Sequence, residues 1–182
     1  MGKPFLFFIA LSIHCFVAYA QKGNNAFSIN GEAAIPIFQD DLGFGLYFKG
    51  YYGIGQSAQL TLSAGVSKFN AKNSIETGKT TTRLVPFLFG YKQNIQRFFI
   101  EPRIGIGELG GKESLDGDYA RQSVAALFGG LNAGYTIKRV SLGINFLSAH
   151  GIENASAGSW HDKNFHYTSF FVGYDLFSKA NQ

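Results

Sequence analysis

The sequence predicts an all-β protein: an eight-stranded antiparallel up-and-down transmembrane β-barrel with a filled polar lumen. Three observations predict it. Apolar and polar residues alternate in eight segments, the period-2 signature of strands. The connections between those segments are short and long in turn. Beyond the first twenty residues, no apolar run reaches the ~20 residues that a spanning helix needs. Composition fits the same class. Charged residues are 15% of the chain and aromatic residues 16%, with 19 Phe and 23 Gly but four Pro. A disordered chain would be poor in aromatics. The formal net charge is +4, but the basic residues are scattered. No basic stripe of the kind that binds nucleic acid is present.

Residues 1–20 read as a signal peptide and residues 21–182 as the barrel domain. Lys3 supplies a positive start, Phe5 to Val17 is almost wholly apolar, and Ala18-Tyr19-Ala20 offers small residues for cleavage near Gln21. The apolar run is too short for a spanning anchor. Ile13 and His14 before Cys15 are not the small residues of a lipoprotein site. The mature chain then has no Cys, so its stability must come from packing or from a membrane.

The predicted strands run in order. Ala26 to Phe38 puts Phe27, Ile29, Ala33, Ile35 and Ile37 on one face. Asp41 to Ile54 does so with Leu42, Phe44, Leu46, Phe48 and Tyr52, against Gly43, Gly45, Tyr47 and Lys49. Ala58 to Phe69 sets Leu60, Leu62 and Val66 against Thr61, Ser63 and Ser67. Thr80 to Gln93 is less clean, because Leu84 and Leu88 fall opposite Val85, Phe87 and Phe89. Gln96 to Leu109 sets Phe98, Ile100, Ile104 and Ile106 against Glu101, Arg103, Gly105 and Gly107. Gln122 to Ile137, Val140 to Ala149 and His166 to Phe177 complete the set.

Gly55-Gln56-Ser57, Asn94-Ile95 and Lys138-Arg139 are the tight turns, and Asn70 to Lys79, Gly110 to Arg121 and His150 to Phe165 the long loops. Gln39-Asp40 is the exception, a tight turn at the long-loop end. The apolar parity switches across Asn94-Ile95 and Lys138-Arg139, as two-residue turns require. Pro86 and Pro102 fall almost opposite each other on this register. Each removes a ladder donor, so a bulge or weak spot is expected in that hairpin.

A soluble barrel buries its apolar face, whereas a membrane barrel turns it outward. The apolar face persists for about ten residues per strand, enough to span. The other face mixes Gly, Ser, Asn and Gln with Glu32, Lys49, Glu101, Arg103 and Asp175. These five charges are expected to form a lumenal network, since buried charges must pair. Glu101 and Arg103 lie two apart on one face, so each should pair across the barrel. For Arg103 the candidate carboxylates are Glu32 and Asp175. A lipocalin-like periplasmic ligand carrier is the soluble alternative.

On this pattern the mature chain resembles the small OmpA/OmpX-like outer-membrane β-barrel proteins. Its last strand, Phe171-Val172-Gly173-Tyr174-Asp175-Leu176-Phe177, is similar to the C-terminal signal read by the barrel-assembly machinery, although Ser178 to Gln182 follow it. The resemblance implies residence in the cell outer membrane and contact with outer-membrane lipid and lipopolysaccharide. It also implies a non-enzymatic structural, adhesive or surface-interaction role, with the extracellular partner unknown. No cofactor or metal is called for. Gly105-Ile106-Gly107-Glu108-Leu109-Gly110 matches a dinucleotide fingerprint, but no helix pattern follows it. The last long loop carries His150 and His161, with His166 just beyond its end. Ser148 and His150 share the outward face there, with Glu153 beyond. This placement resembles the outer-membrane lipid A deacylases, small barrels whose Ser and His face lipid. In their pattern Ser follows His by two residues, whereas Ser148 precedes His150 and residue 152 is Ile.

Overall fold

The computed structural model describes residues 25–37, 42–70, 81–115, 118–152 and 164–179. They form eight strands closed into one antiparallel barrel in which each strand pairs with its sequence neighbours. The strands are β1 (Asn25–Pro36), β2 (Leu42–Gly53), β3 (Ala58–Asn70), β4 (Thr81–Ile95), β5 (Phe98–Leu115), β6 (Asp118–Ile137), β7 (Val140–Gly151) and β8 (Asn164–Lys179). β1 meets β8 through twelve residue pairs, from Asn25↔Lys179 to Pro36↔Tyr167, with one irregularity between Phe27 and Ser28. The signal segment, Gln39-Asp40, Glu153 and His161 lie outside the described residues.

The alternation resolves as an apolar exterior and a mixed interior. Phe44, Ile104 and Phe170 are 60%, 66% and 69% exposed, and the outward positions of every other strand are similarly apolar. A soluble monomer rarely exposes an apolar patch beyond a few hundred Å², whereas a continuous band around a closed barrel is the surface a bilayer solvates. The lumen itself is filled. Its middle is polar, around Glu32, Glu101 and Arg103. Toward the long-loop end it is plugged by Phe69, Leu84, Leu88, Leu109, Phe128, Leu147, Phe165 and Tyr167. Phe69 packs against Phe165 and Tyr167 with ring centroids 4.8 and 5.1 Å apart. The two leucines that blur the fourth strand's pattern belong to this plug.

Three expectations need correction. The β4–β5 turn is Gln96-Arg97, not Asn94-Ile95, with Ile95 paired to Phe98. The register therefore moves by an even number and every side chain keeps its face. Gly110 to Arg121 is not a loop. β5 and β6 continue through it as a paired hairpin up to Leu115↔Asp118. Finally, the prolines do not face one another. Pro86 is opposite Gly107. The two seams lapse separately. The β3–β4 ladder runs from Ala64↔Phe87 to Ser67↔Leu84 without the two pairs between them, and the β4–β5 ladder runs from Gly90↔Arg103 to Gln93↔Ile100 in the same way. Each proline lacks the N–H that would donate across its own seam. Register is unchanged across both gaps, so the weak spots exist without a bulge.

Arginine in place of Ile104 puts a cation against hydrocarbon. Ile104→Arg should lose ~2–4 kcal/mol if the residue sits near the midplane, measured by urea unfolding in lipid vesicles. The loop-end control Lys112→Met should be silent. Equal behaviour of the two would refute the lipid-facing assignment.

Candidate functional site

Two side-chain assemblies stand out, one inside the barrel and one on its rim. The inner one starts from strand parity. Glu32, Lys49, Glu101 and Arg103 occupy inward positions of β1, β2 and β5 and are all buried. Lys49 reaches across the lumen to Glu101, Nζ to Oε2 at 2.6 Å. Thr61 donates to the other oxygen of Glu101 at 2.7 Å, and Asn132 donates to Oε2 at 3.3 Å. This cation and these two neutral donors satisfy a carboxylate that is fully buried, which would otherwise be costly.

Glu32 is held without a direct cation. Ser67 and Tyr167 donate to its Oε1 at 2.7 and 2.9 Å, and Ser169 and Asn145 donate to its Oε2 at 2.8 and 3.1 Å. Tyr47 sits within hydrogen-bond distance of both Ser67 and Tyr167, at 2.6 and 2.9 Å. Gly45 lies directly opposite Glu32. A methyl group there would collide with the Glu32 carboxylate and the Ser67 hydroxyl. Gly105 and Gly107 of the fingerprint-like segment are likewise inward-facing, backed against the β4 backbone. They make room inside a narrow barrel.

The sequence leads one to expect a carboxylate partner for Arg103. Its guanidinium instead donates to Asn145 Oδ1, and Asn145 passes the link to Glu32 through its own amide. Register explains the difference. Glu32, Asn145 and Ser169 meet where β1, β8 and β7 adjoin, which places the neutral Asn145 between cation and anion. Asp175 stands apart, half-buried toward the tight-turn end. At that end the buried Lys92 places its ammonium 4.1 Å from the Phe99 ring centroid and 4.9 Å from that of Tyr51, a cation–π arrangement. A cavity of about 20 Å³ remains mid-lumen, lined by residues including Ser63, Arg103 and Asn132. Ser63 Oγ, Arg103 Nε and Asn132 Oδ1 are buried there without a protein partner. That space suits roughly one water molecule.

The outer assembly is on β7 and β8 at the long-loop end. Ser148, His150, Asn164 and His166 occupy outward positions, and Ser148↔His166 and His150↔Asn164 are direct cross-strand pairs. Ser148 Oγ lies 2.9 Å from His150 Nε2 and 2.7 Å from His166 Nδ1. His150 Nδ1 lies 2.8 Å from Asn164 Oδ1. The two imidazoles meet edge-on, 5.4 Å between centroids. The sequence points to Ser148 and His150 with Glu153 as the third member. Among the described residues it is Asn164 that contacts the imidazole. Sequence reading identifies the His166 strand but not its contact with Ser148, since that contact depends on the register across the last loop.

The inner network yields a ranking. Lys49→Met strands a buried carboxylate and should cost ~3–5 kcal/mol. Arg103→Met removes a charged donor to a neutral amide and should cost less, ~1.5–3 kcal/mol. Urea midpoints of the heat-modifiable folded band give the order. The reverse order would contradict the division of labour between the two cations.

No protein-family model and no curated protein sequence matches the chain. Solved structures do. The chain is similar to Ail, the attachment invasion locus protein of Yersinia pestis, in a complex with the heparin analogue sucrose octasulfate. The TM-score is 0.62 at 13% identity, over 85% of this chain and 98% of that one. A major outer membrane protein from Thermus thermophilus aligns at TM-score 0.60 and 11% identity, covering 84% and 99%. The N-terminal β-barrel domain of Pseudomonas aeruginosa OprF aligns at 0.54 and 12%, covering 85% and 99%. At these identities the likeness is one of fold. Taken with the closed eight-stranded topology and the apolar exterior, it identifies the architecture as that of the small OmpA/OmpX-like outer-membrane β-barrels.

Proposed function

We propose that the chain is exported through a signal peptide spanning residues 1–20 and resides in the cell outer membrane. There its barrel serves as a structural, adhesive or surface-interaction scaffold rather than working through chemistry in its lumen. The single observation that carries this reading is the apolar outer face of a closed barrel whose interior is occupied by its own side chains. A surface of that kind is stable only in lipid, which speaks against a soluble ligand carrier. The lumenal carboxylates Glu32 and Glu101 are engaged by protein donors, as a packing network demands. Contacts with outer-membrane lipid and lipopolysaccharide follow from the location. Insertion by the barrel-assembly machinery, through the Phe171 to Phe177 segment, is part of the same proposal. Ail, named for attachment and invasion, supports a role at the cell surface.

The experiment is fractionation of cells expressing the full chain, with N-terminal sequencing of the product. The expected result is a heat-modifiable outer-membrane band whose sequence starts near Gln21. A product that is soluble without detergent would end the reading. In planar bilayers the purified barrel should give no steady single-channel conductance, because its described lumen is filled by side chains and the mid-lumen cavity beside Ser63, Arg103 and Asn132 suits about one water. A stable open channel would contradict the filled interior.

A further inference from the structure

We infer that the rim assembly on β7 and β8 is an acyl-ester hydrolysis site, with Ser148 as nucleophile and His150 as general base. Asn164 is the positioning residue. The substrate class is the fatty-acyl ester of a membrane lipid. The activity goes beyond the scaffold role. It rests on the lipid-facing reading of the barrel but not on any structural or adhesive function.

Hydrogen-bond direction is the first support. Asn164 Oδ1 can only accept, so the proton on His150 is at Nδ1. A neutral ring then offers a lone pair at Nε2, and Ser148 must donate its hydroxyl proton to it. That leaves the serine oxygen as acceptor toward His166 in the tautomer that carries its proton at Nδ1, 2.7 Å away. The chain thus runs in one direction, from His166 through Ser148 and His150 to Asn164. It has the requirements of an activated nucleophile: a hydroxyl bonded to a base, and a base oriented by a third group.

Access is the second. The residue opposite Ser148 on β6 is Gly129. A Cβ built on Gly129 would meet nothing within 4 Å, so the outer wall beside the hydroxyl is bare. Ile104, Gly129's partner on β5, and Phe146, the next outward residue on β7, border that bare patch and are exposed and apolar. The surroundings suit an acyl chain.

Height is the third. Ser148 is eight positions beyond the start of β7 at the tight-turn end. At about 3.3 Å per residue and a tilt near 40°, that is roughly 20 Å up an apolar band about 25 Å tall. The hydroxyl therefore stands near the outer boundary of the hydrocarbon, where acyl chains join their headgroups.

The chemistry balances without a redox partner. Ser148 Oγ adds to the ester carbonyl as its proton passes to His150 Nε2. The ester C–O bond breaks and the departing alcohol takes that proton. Water then adds to the acyl-serine, giving a proton to Nε2, which returns it to the serine oxygen as the carboxylic acid leaves. His166 Nδ1–H, already beside Oγ, is placed to stabilise negative charge developing at the reacting centre.

The test uses the purified full barrel with folding verified by heat-modifiable migration. It is challenged with a fluorophosphonate label and with two kinds of vesicle, phosphatidylethanolamine alone and phosphatidylethanolamine with lipid A. The expected result is labelling at Ser148 and release of free fatty acid. Release from the first vesicle identifies glycerophospholipid esters as substrate; release from the second alone identifies lipid A esters. Ser148→Ala and His150→Ala should each lower turnover by about a hundredfold or more. Asn164→Ala should lower kcat by roughly tenfold or more with KM unchanged, and Asn164→Asp, which keeps an acceptor toward Nδ1, should restore most of it. A folded wild-type barrel that releases no fatty acid from either vesicle overturns the inference and leaves the scaffold reading intact. Release undiminished in Ser148→Ala overturns it too. An unfolded or soluble product would instead count against the membrane reading itself.

Discussion

Closure of the backbone ladder governs everything else in this molecule. In hydrocarbon, an unpaired N–H or C=O has no water to turn to and costs several kcal/mol. A sheet can survive there only if its first strand finds its last. β1 does so along its whole length against β8, and that single seam converts a meander into a structure with no edges. The lumen contents then follow. Once the circle is closed, eight inward faces share a narrow space. Glycines, hydroxyls and paired charges are the side chains that fit it.

The seam also assembles the inner network from parts remote in sequence. Glu32 on β1 is satisfied by Tyr167 and Ser169 on β8, more than 130 positions away. Lys49 and Glu101 pair across the barrel rather than between adjacent strands. These bonds depend on closure, and in turn they fasten the wall from within. Such polar groups cost stability if only partly satisfied. Here both carboxylates are surrounded by donors, and neutral Asn145 links Arg103 to Glu32.

What the sequence disclosed and what it hid divide along one line. Period-2 alternation is a local property, so the strands and both their faces were legible from Phe27 to Phe177. The three tight turns after β2, β4 and β6 were legible in number and parity, whereas the β5–β6 reversal was read as a long loop. The β4–β5 turn was misplaced because Asn94 is a favoured turn residue, while the pairing of Ile95 with Phe98 decides where the chain reverses. The upper parts of β5 and β6 were hidden because Gly110, Gly111 and Lys112 carry no apolar alternation. Above the bilayer a hairpin has no lipid to face and needs none. The rim site was half-legible. Ser148 and His150 are neighbours on one strand face, but Asn164 and His166 reach them only through the β7–β8 register, which no local pattern encodes. The arginine's neutral partner was hidden for the same reason.

The unequal strand lengths carry one more consequence. β5 and β6 run 18 and 20 residues, against 12 for β7. Since about ten residues suffice to cross the bilayer, the surplus stands at the long-loop end as a paired β5–β6 hairpin, flanked by β4 as far as Thr81↔Lys112. Roughly eight extra residues at about 3.3 Å each lift its tip some 20 Å above the lipid once tilt is allowed for. The reach of that hairpin beyond the lipid is set by backbone pairing instead of by a loose tether.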